Sequence, residues 1–429
     1  MKIMVIDYRE KDRLNRLLEK KFLIIEKVRE DVWRILNEVR RRGDKALFKY
    51  TKRFDKFDLN CENLRVKDEE IENAYDKLDK SDVNALKHAK RNIERFHKEQ
   101  FKRIERSWEI ETEIGILGKM GKPIERIGVY SPKGIRGYPS TVLMNSIPAR
   151  IAGVDEISLI SSPEISESVL VAADLCGIDK IYRVGGAHGI GALAYGTETI
   201  EKVDKIVGPG NIYVTAAKIM VYGVVDIDMP AGPSEILIIA DESANPRFIA
   251  ADMLSQLEHD SDAQAILVTT SKEIVDETKR EINAQIKSMR NYETIMKSIE
   301  NSAIILAEDI EECIEFVNRY APEHLEIMAR NPKKLLREIR NAGSIFLGNY
   351  SPVPAGDYAS GTNHVLPTSG TARFSSSLSV MDFLKFSDVQ FITRDGLKRI
   401  KKTVERIANL EGFDAHSKAI EIRFSDSQT

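Results

Sequence analysis

The sequence predicts an α/β fold with two incomplete Rossmann-like lobes, each built on a parallel sheet, and small N- and C-terminal appendages. Three observations support this prediction. The 429 residues exceed the size at which a single hydrophobic core stops growing. From about residue 127, short β-branched runs alternate with amphipathic stretches, which is typical of βα units with right-handed crossovers. These runs are numerous enough for two parallel sheets.

The individual elements follow from periodicity and turn residues. Residues 8–105 are dense in Lys, Arg and Glu, with apolar residues at helical spacing, so this region is predicted to be helical. Short apolar runs bounded by Gly or Pro predict seven strands: Arg126–Tyr130, Glu156–Ser161, Lys180–Val184, Glu235–Ile239, Ala265–Thr269, Ala303–Leu306 and Ser344–Leu347. The predicted helices among and after them include Ile212–Tyr222, Pro246–Glu258, Ile310–Tyr320 and one ending at Leu410.

We expect the chain to divide into four parts. Residues 1–20 form an N-terminal appendage, and residues 378–429 form a polar, charged tail domain. The first α/β lobe is discontinuous and combines residues 21–127 with 235–377, whereas residues 128–234 form the second lobe.

Composition excludes several functional classes. The formal charge is −3, with Lys+Arg and Asp+Glu nearly balanced, which argues against a nucleic-acid or membrane-surface partner. Three widely spaced cysteines offer neither a disulfide framework nor a thiolate metal site and are typical of a reducing compartment. The sequence shows no signal peptide and no apolar run long enough for a membrane span. We therefore expect a cytoplasmic protein.

Five of the seven histidines lie in segments rich in Gly, Pro or acidic residues, and two of these segments suggest a chemical site. Gln256 and His259 are three residues apart near the end of a predicted helix, so one ion could contact both side chains. A solvated helix end is the alternative. Glu323 and His324 follow Pro322 in a predicted rigid turn and could form an acid–base pair, unless they are simply a polar turn.

Three glycine-rich segments are also candidate ligand sites. The loop from Pro354 to His364 follows a predicted strand, and ligands bind at the carboxyl ends of parallel strands, so Asp357 and His364 become candidates. Residues 185–191 and 208–211 could let the backbone approach a pyrophosphate at a helix N-terminus. Residues 189–194 fit GxGxxA, although a tight strand-to-helix turn explains that match equally well.

Taken together, these segments resemble the histidinol dehydrogenase family from about residue 20 to the end of the chain. The segments that carry the resemblance are Lys205–Lys218, Ala231–Glu235, Ser255–Asp260, Ala321–Leu325 and Gly356–His364. Their order along the chain is also that of the family.

The resemblance implies a site with two cofactors, zinc and NAD. Zinc would be bound by Gln256, His259, Asp357 and His416. Glu323 and His324 would be the acid–base pair, and the NAD contacts would be Tyr130 and Asn211. The substrate L-histidinol would contact the metal ligands, His324 and three further residues, namely Ser234, His364 and Glu411. The tail residues Glu411 and His416 would complete the site of a neighbouring subunit, which implies a homodimer with shared sites.

Two departures from the family pattern fall in the implied NAD groove. His188 stands where the family has glutamine, so a glutamine contact to NAD is not carried over. The segment after Tyr130 reads Ser131-Pro132-Lys133-Gly134 instead of Val-Pro-Gly-Gly.

The implied reaction is a four-electron oxidation of L-histidinol through L-histidinaldehyde to L-histidine, the last step of histidine biosynthesis. His324 would accept the hydroxyl proton in the first half, and Glu323 would activate water in the second. No cysteine accompanies the motifs, so a thiohemiacetal route has no obvious nucleophile. The alternatives are a zinc-dependent hydrolase and a non-catalytic metal- or nucleotide-binding protein on the same scaffold.

Overall fold

A computed structural model describes residues 3–19, 25–134, 137–178 and 180–425 of the chain. The chain divides into two units. The first unit contains Met1–Phe101 and Ile124–Phe383, and the second contains Lys102–Pro123 and Leu384–Thr429. None of the helices in the described ranges is long and apolar enough to cross a membrane.

The strands and helices are named here in chain order. The strands are β1 (Met4–Asp7), β2 (Ser107–Thr112), β3 (Gly115–Pro123), β4 (Arg126–Tyr130), β5 (Glu156–Ser161), β6 (Lys180–Arg183), β7 (Lys205–Val207), β8 (Asp226–Ile227), β9 (Glu235–Ala240), β10 (Gln264–Thr269), β11 (Ala303–Leu306), β12 (His324–Met328), β13 (Ser344–Leu347) and β14 (Leu384–Ile392). The helices are α1 (Lys11–Leu18), α2 (Glu26–Arg42), α3 (Asp44–Phe54), α4 (Asp68–Lys77), α5 (Lys80–Lys102), α6 (Pro139–Ala152), α7 (Glu167–Leu175), α8 (Gly186–Tyr195), α9 (Ile212–Val221), α10 (Pro246–Leu257), α11 (Lys272–Gln285), α12 (Tyr292–Ser298), α13 (Ile310–Tyr320), α14 (Pro332–Leu335), α15 (Val353–Tyr358), α16 (Arg394–Leu410) and α17 (Asp414–Ser425).

The larger sheet of the first unit has six parallel strands in the order β1-β11-β10-β9-β12-β13. Alternate residues of β9 enter two different cores: Ile236 and Ile238 face the α10–α12 layer, whereas Leu237 and Ile239 pack with α13. Both faces are covered by helices, which explains why β9 reads as a continuous apolar run. Residues 4–7, which we expected in an appendage, instead form an edge strand of this sheet.

The second sheet has five parallel strands in the order β6-β5-β4-β7-β8. Helices α2, α3, α8 and α9 contribute to one hydrophobic core beside it. The apolar stripe of α2, including Val32, Leu36 and Val39, packs here, although we expected residues 21–127 to belong with the other sheet. The α/β class with parallel sheets is confirmed, while the four-part division of the chain stays a prediction.

The second unit contains a three-stranded antiparallel sheet in the order β14-β3-β2, followed by α16 and α17. None of these strands was predicted from the sequence. Polar and apolar residues are mixed in these strands and nearly all are at least partly exposed, so they lack the buried β-branched runs by which the other strands were found. The predicted helix ending at Leu410 is confirmed as α16.

Candidate active site

The predicted catalytic residues lie at the amino-terminal edge of the six-stranded sheet. Ser234 directly precedes β9, Glu323 directly precedes β12, and His324 is the first residue of β12 and pairs with Ile236 of β9. We expected Asp357 and His364 at the carboxyl ends of the strands, but Asp357 lies beside His324 at the amino edge, so this expectation was wrong. Helix α15 runs back along the sheet from Val353, whose amide donates to Glu326 in the middle of β12, to Asp357 beside the first residue of that strand.

Glu323 and His324 are both held by the backbone of Glu235. The amide of Glu235 donates to Glu323 Oε2 at 2.8 Å, and His324 Nδ1 lies 3.1 Å from the Glu235 carbonyl oxygen. Glu323 Oε2 is 3.5 Å from His324 Nδ1. Both side chains are buried. His324 begins a strand instead of belonging to a turn, and a left-handed residue, Ala321, makes the break after α13.

The side chain of Glu235 is fixed in turn by Tyr320, a residue that the sequence reasoning missed. The Tyr320 hydroxyl donates to Glu235 Oε2 at 3.0 Å and also contacts Gln264. Burial, and then the negative charge of Glu235, raise the pKa of Tyr320 well above its usual value, so the hydroxyl remains a donor. Tyr320 and Glu323 lie on either side of the break after α13, so the short distance between them along the chain could have identified Tyr320 as a neighbour of the site.

Asp357 and His364 converge on the same histidine. Residues 353–358 form the short helix α15, so Asp357 lies in its last turn and not in an open loop as expected. Asp357 Oδ1 is 3.7 Å from His324 Nε2, and His364 Nδ1 is 2.9 Å from the Asp357 carbonyl oxygen. Burial alone would lower the pKa of His324, but the carboxylates of Glu323 and Asp357 raise it well above its usual value. A cation bound at Asp357 would weaken that effect.

Gln256 and His259 lie on either side of the end of α10, which stops at Leu257. Gln256 is only 1% exposed, and its Oε1 has no hydrogen-bond partner among the described residues. An unpaired buried oxygen is costly, and a ligand that accepts its lone pair would remove the cost. His259 is exposed. Burial would raise the pKa of Asp357, but the neighbouring His324 and, to a smaller extent, His364 and His259 lower it.

The remaining two predicted ligands belong to the second unit. Glu411 follows α16, His416 lies in α17, and both are exposed. Among the described residues, no three His, Cys, Asp or Glu side chains converge closely enough to hold a metal ion. The donor set of amide oxygen, imidazole and carboxylate is nevertheless acceptable for zinc, and the buried Gln256 Oε1, which no described residue satisfies, is suited to be one of the ligands.

The predicted NAD contacts lie at the carboxyl edge of the five-stranded sheet. The chain proceeds from β4 to β5 and β6, then returns to β7 on the other side of β4. The ends of β4 and β7 therefore flank a topological switch point, where open α/β sheets bind ligands. Tyr130 ends β4, and Gly208 follows β7 with φ +113°, so close to Tyr130 that a Cβ would lie 2.1 Å from its carbonyl oxygen. Asn211 caps α9 through Oδ1, which accepts from Tyr213 and Val214.

A buried ion pair fixes the glycine loop at this switch point. Lys218 and Asp228 contact each other, and both are nearly inaccessible to solvent. Lys218 Nζ donates to the Gly208 carbonyl oxygen at 2.8 Å, and the Gly208 amide donates to Asp228 at 2.7 Å. Both backbone groups of Gly208 are thereby held in place, which presets the loop that leads to Asn211.

The GxGxxA match has a structural explanation. Gly189 and Gly191 lie inside α8, where Gly189 packs on the backbone of Val184 and Gly191 packs on Leu36 and Val39 of α2. The contact of Gly189 with Val184 agrees with the tight-turn alternative, and the packing of Gly191 against α2 adds to it.

His188 is buried inside the same helix. Its Nε2 lies 3.1 Å from the Thr51 hydroxyl, and burial lowers its pKa to about 3. In this position the ring links α8 to α3.

Three comparisons agree on the family. Residues 18–424 match the sequence profile described as histidinol dehydrogenase. The chain is 52% identical to histidinol dehydrogenase of Clostridium acetobutylicum, over 91% of each chain, and 49% identical to that of Methanocaldococcus jannaschii, over 96% of each chain. The crystal structure of histidinol dehydrogenase from Elizabethkingia anophelis superposes with a TM-score of 0.92 at 41% identity and covers 98% of both chains. Because sequence and fold agree along nearly the whole chain, the protein belongs to the histidinol dehydrogenase family.

Proposed function

We propose that the protein oxidises L-histidinol to L-histidine in the cytoplasm, removing four electrons with two NAD per substrate. The observation that carries this proposal is the arrangement at the amino edge of the six-stranded sheet. A buried acid–base pair, Glu323 and His324, lies beside the carboxylate of Asp357. His259, just beyond the end of α10, acts electrostatically on Asp357, and α10 carries the buried Gln256 oxygen that no described residue satisfies. Family membership adds the substrate and cofactor class.

Gln256, His259 and Asp357 would hold the zinc ion, with His416 supplied by a second copy of the chain. Zinc would hold and orient the substrate nitrogens, and NAD would accept the hydride in each half-reaction. The buried oxygen of Gln256 supports this ligand set, because no described residue satisfies it.

In the first half-reaction, His324 would accept the hydroxyl proton. Its Nδ1 faces the Glu235 carbonyl oxygen, which can accept only from a protonated nitrogen, so Nδ1 carries a hydrogen. In the neutral form of the ring, the second nitrogen, Nε2, on the side of Asp357, would be the one that accepts the proton. Glu235 thus fixes both the ring orientation and the position of the transferred proton.

In the second half-reaction, Glu323 would remove a proton from the water that attacks the aldehyde. The amide of Glu235 occupies Oε2, leaving Oε1 for the water. A covalent route through a thiol receives no support. Cys176 and Cys313 are buried, and burial raises the pKa of each to about 12, whereas the exposed Cys61 lies far along the chain from every catalytic motif.

Substrate and cofactor would be positioned by residues outside the catalytic pair. Ser234 and His364 lie beside Glu235 and Asp357, respectively, and would contact histidinol together with Glu411 of a second copy. Tyr130 and Asn211 would contact NAD at the switch point of the five-stranded sheet. We therefore propose a homodimer whose sites are completed by exchanged C-terminal tails.

The reaction is tested by counting NADH per histidinol consumed, with histidine measured in the same sample. We expect about two NADH per histidine formed, because each half-reaction removes two electrons. A zinc-dependent hydrolase or a non-catalytic binding protein would produce no NADH from histidinol, and either result would overturn the proposal.

A further inference from the structure

A short connector, residues 229–234, joins the two parallel sheets of the first unit. It follows β8 of the five-stranded sheet and leads directly into β9 of the six-stranded sheet, whose first residue is Glu235. The last residue of the connector, Ser234, is a proposed substrate contact, and the backbone of Glu235 holds the acid–base pair through its amide and carbonyl groups. The position of the connector therefore sets the position of the substrate contact and of the acid–base pair.

Two hydrogen bonds hold the end of the connector. The Gly232 amide donates to the hydroxyl oxygen of Thr368 at 2.5 Å. The Ser234 carbonyl oxygen accepts from the Gln264 amide at 3.0 Å. Pro233 lies between these two contacts and restricts the backbone there, so a shift of Gly232 would be passed on to Ser234.

Thr368 is itself fixed by its neighbours. Its side chain is 3% exposed, and its carbonyl oxygen accepts from the amide and the hydroxyl of Thr371 at 3.0 and 2.7 Å. The preceding residue, Pro367, packs on Gly343, where a Cβ would lie 3.1 Å from the proline ring. The Gly343 amide donates to the Pro322 carbonyl oxygen at 2.9 Å. Thr368 is thereby tied to the chain immediately before the acid–base pair as well as to the connector.

The approach of Thr368 to the connector is close enough to require a glycine. A Cβ at Gly232 would lie 2.9 Å from Thr368 Oγ1 and 2.3 Å from Ser369 Oγ. Ser369 has φ +54°, a left-handed conformation that is uncommon for a residue with a side chain. Such conformations persist where the surrounding contacts enforce them. The backbone on both sides of the Thr368 hydrogen bond is therefore closely specified.

We propose that Thr368 is a positioning residue, whose hydroxyl oxygen binds the Gly232 amide and thereby fixes where the connector delivers Ser234. The same contact fixes the Glu235 backbone groups that hold the acid–base pair. This role rests on the proposed function, because Thr368 acts on the reaction only through the connector.

Three substitutions separate this hydrogen bond from packing. Thr368→Val keeps the shape of the side chain but leaves the Gly232 amide without its acceptor. Thr368→Ser keeps the hydroxyl and removes only a methyl group. Gly232→Ala keeps the Thr368 hydroxyl but forces the connector away from it. The matched control is Thr278→Val, because Thr278 is a fully buried threonine of α11 whose hydroxyl has no partner among the described residues.

The test measures NADH formation from histidinol and from histidinaldehyde, together with hydrogen exchange of the peptide 229–237 by mass spectrometry. We expect Thr368→Val to lower kcat/KM for both substrates by about 10- to 100-fold, as is typical when a positioned group is displaced. The peptide 229–237 should exchange faster in this variant. Thr368→Ser should recover most of the lost kcat/KM, Gly232→Ala should resemble Thr368→Val, and Thr278→Val should resemble wild type.

NADH affinity, measured by fluorescence, is the second control. The glycine loop at Gly208 is held separately by Lys218 and Asp228, so Thr368→Val should bind NADH within about twofold of wild type. A loss of NADH affinity as large as the loss of kcat/KM would mean that Thr368 supports the cofactor lobe generally, and the positioning role would be wrong.

The remaining outcomes also decide the proposal. Wild-type kcat/KM in folded Thr368→Val would overturn the positioning role, and a Thr368→Ser variant as slow as Thr368→Val would show that the hydroxyl is not responsible. An equal loss in Thr278→Val would assign the effect to packing. Should Thr368→Val not fold, wild-type kcat/KM in Gly232→Ala would overturn the role. A wild-type protein that forms no NADH from histidinol would overturn the proposed function and this role with it, whereas the other failures leave the proposed function intact.

Discussion

Replacing Glu323 by glutamine should separate the two half-reactions. The substitution keeps the shape of the side chain, and the glutamine oxygen can still accept from the Glu235 amide, which lies 2.8 Å from Glu323 Oε2. Exchanging a charged acceptor for a neutral one costs about 1 kcal/mol of stability. Losing a general base costs about 10²- to 10⁴-fold in rate, or about 3 to 5 kcal/mol in the barrier. The catalytic loss should therefore greatly exceed the structural one.

The assay follows NADH formation separately from histidinol and from histidinaldehyde. Aldehyde oxidation should fall by the full general-base factor, because Glu323 activates the water in that step alone. Alcohol oxidation should fall less, since His324 remains to accept the hydroxyl proton. Glu311→Gln, an equivalent change at an exposed residue of α13, should leave both rates unchanged. Equal slowing of both half-reactions by Glu323→Gln would refute the role as water-activating base.

Three further predictions concern the metal, the dimer and pH. Removing zinc with a chelator should abolish turnover with little loss of far-ultraviolet circular dichroism; full activity in a preparation shown to be metal-free would contradict the zinc assignment. Co-expressing His259→Ala with His416→Ala should restore roughly a quarter of wild-type activity, because about half the dimers are mixed and each mixed dimer has one intact site. No recovery in demonstrated mixed dimers would mean that each tail serves its own subunit. Burial raises the pKa of Asp252, a residue of α10, from 3.8 to about 6 in the folded protein. The free energy of unfolding should therefore fall as pH rises through about 6, because the buried carboxyl then has to ionise. Denaturant unfolding should show this loss relative to the double variant Asp252→Asn/Glu326→Gln, and parallel pH curves for the two proteins would contradict it.

The sequence predicted seven strands, most of them largely buried, and none of the exposed antiparallel strands. Strands such as β9 are covered on both faces, so their burial leaves an unbroken apolar run that is visible without a structure. The antiparallel strands β2, β3 and β14 expose much of their surface and carry polar residues, which gives no comparable signal. Strand β12 escaped detection because its first residue, His324, belongs to a motif that was interpreted as a turn.

The candidate site was predictable in composition but not in position. Motif chemistry proposed Gln256, Glu323, His324 and Asp357 as site residues. The structure brings Glu323, His324 and Asp357 together at the amino edge, a position that depends on how far α15 returns along the sheet. Helix lengths and their ends set that geometry, and neither is readable from local spacing. The supporting contacts were hidden for the same reason: Tyr320 acts on Glu235, which is 85 residues away along the chain.

The central claim is that Gln256, His259 and Asp357 hold a metal ion beside the Glu323–His324 pair. X-ray diffraction data collected on both sides of the zinc absorption edge, from crystals of the zinc-loaded protein, test it most directly. The account predicts one anomalous peak per subunit, about 2.0 to 2.2 Å from Gln256 Oε1, with a His416 imidazole from the second subunit in the same coordination shell. A peak elsewhere, or none at this position in protein shown to contain zinc, would contradict the account.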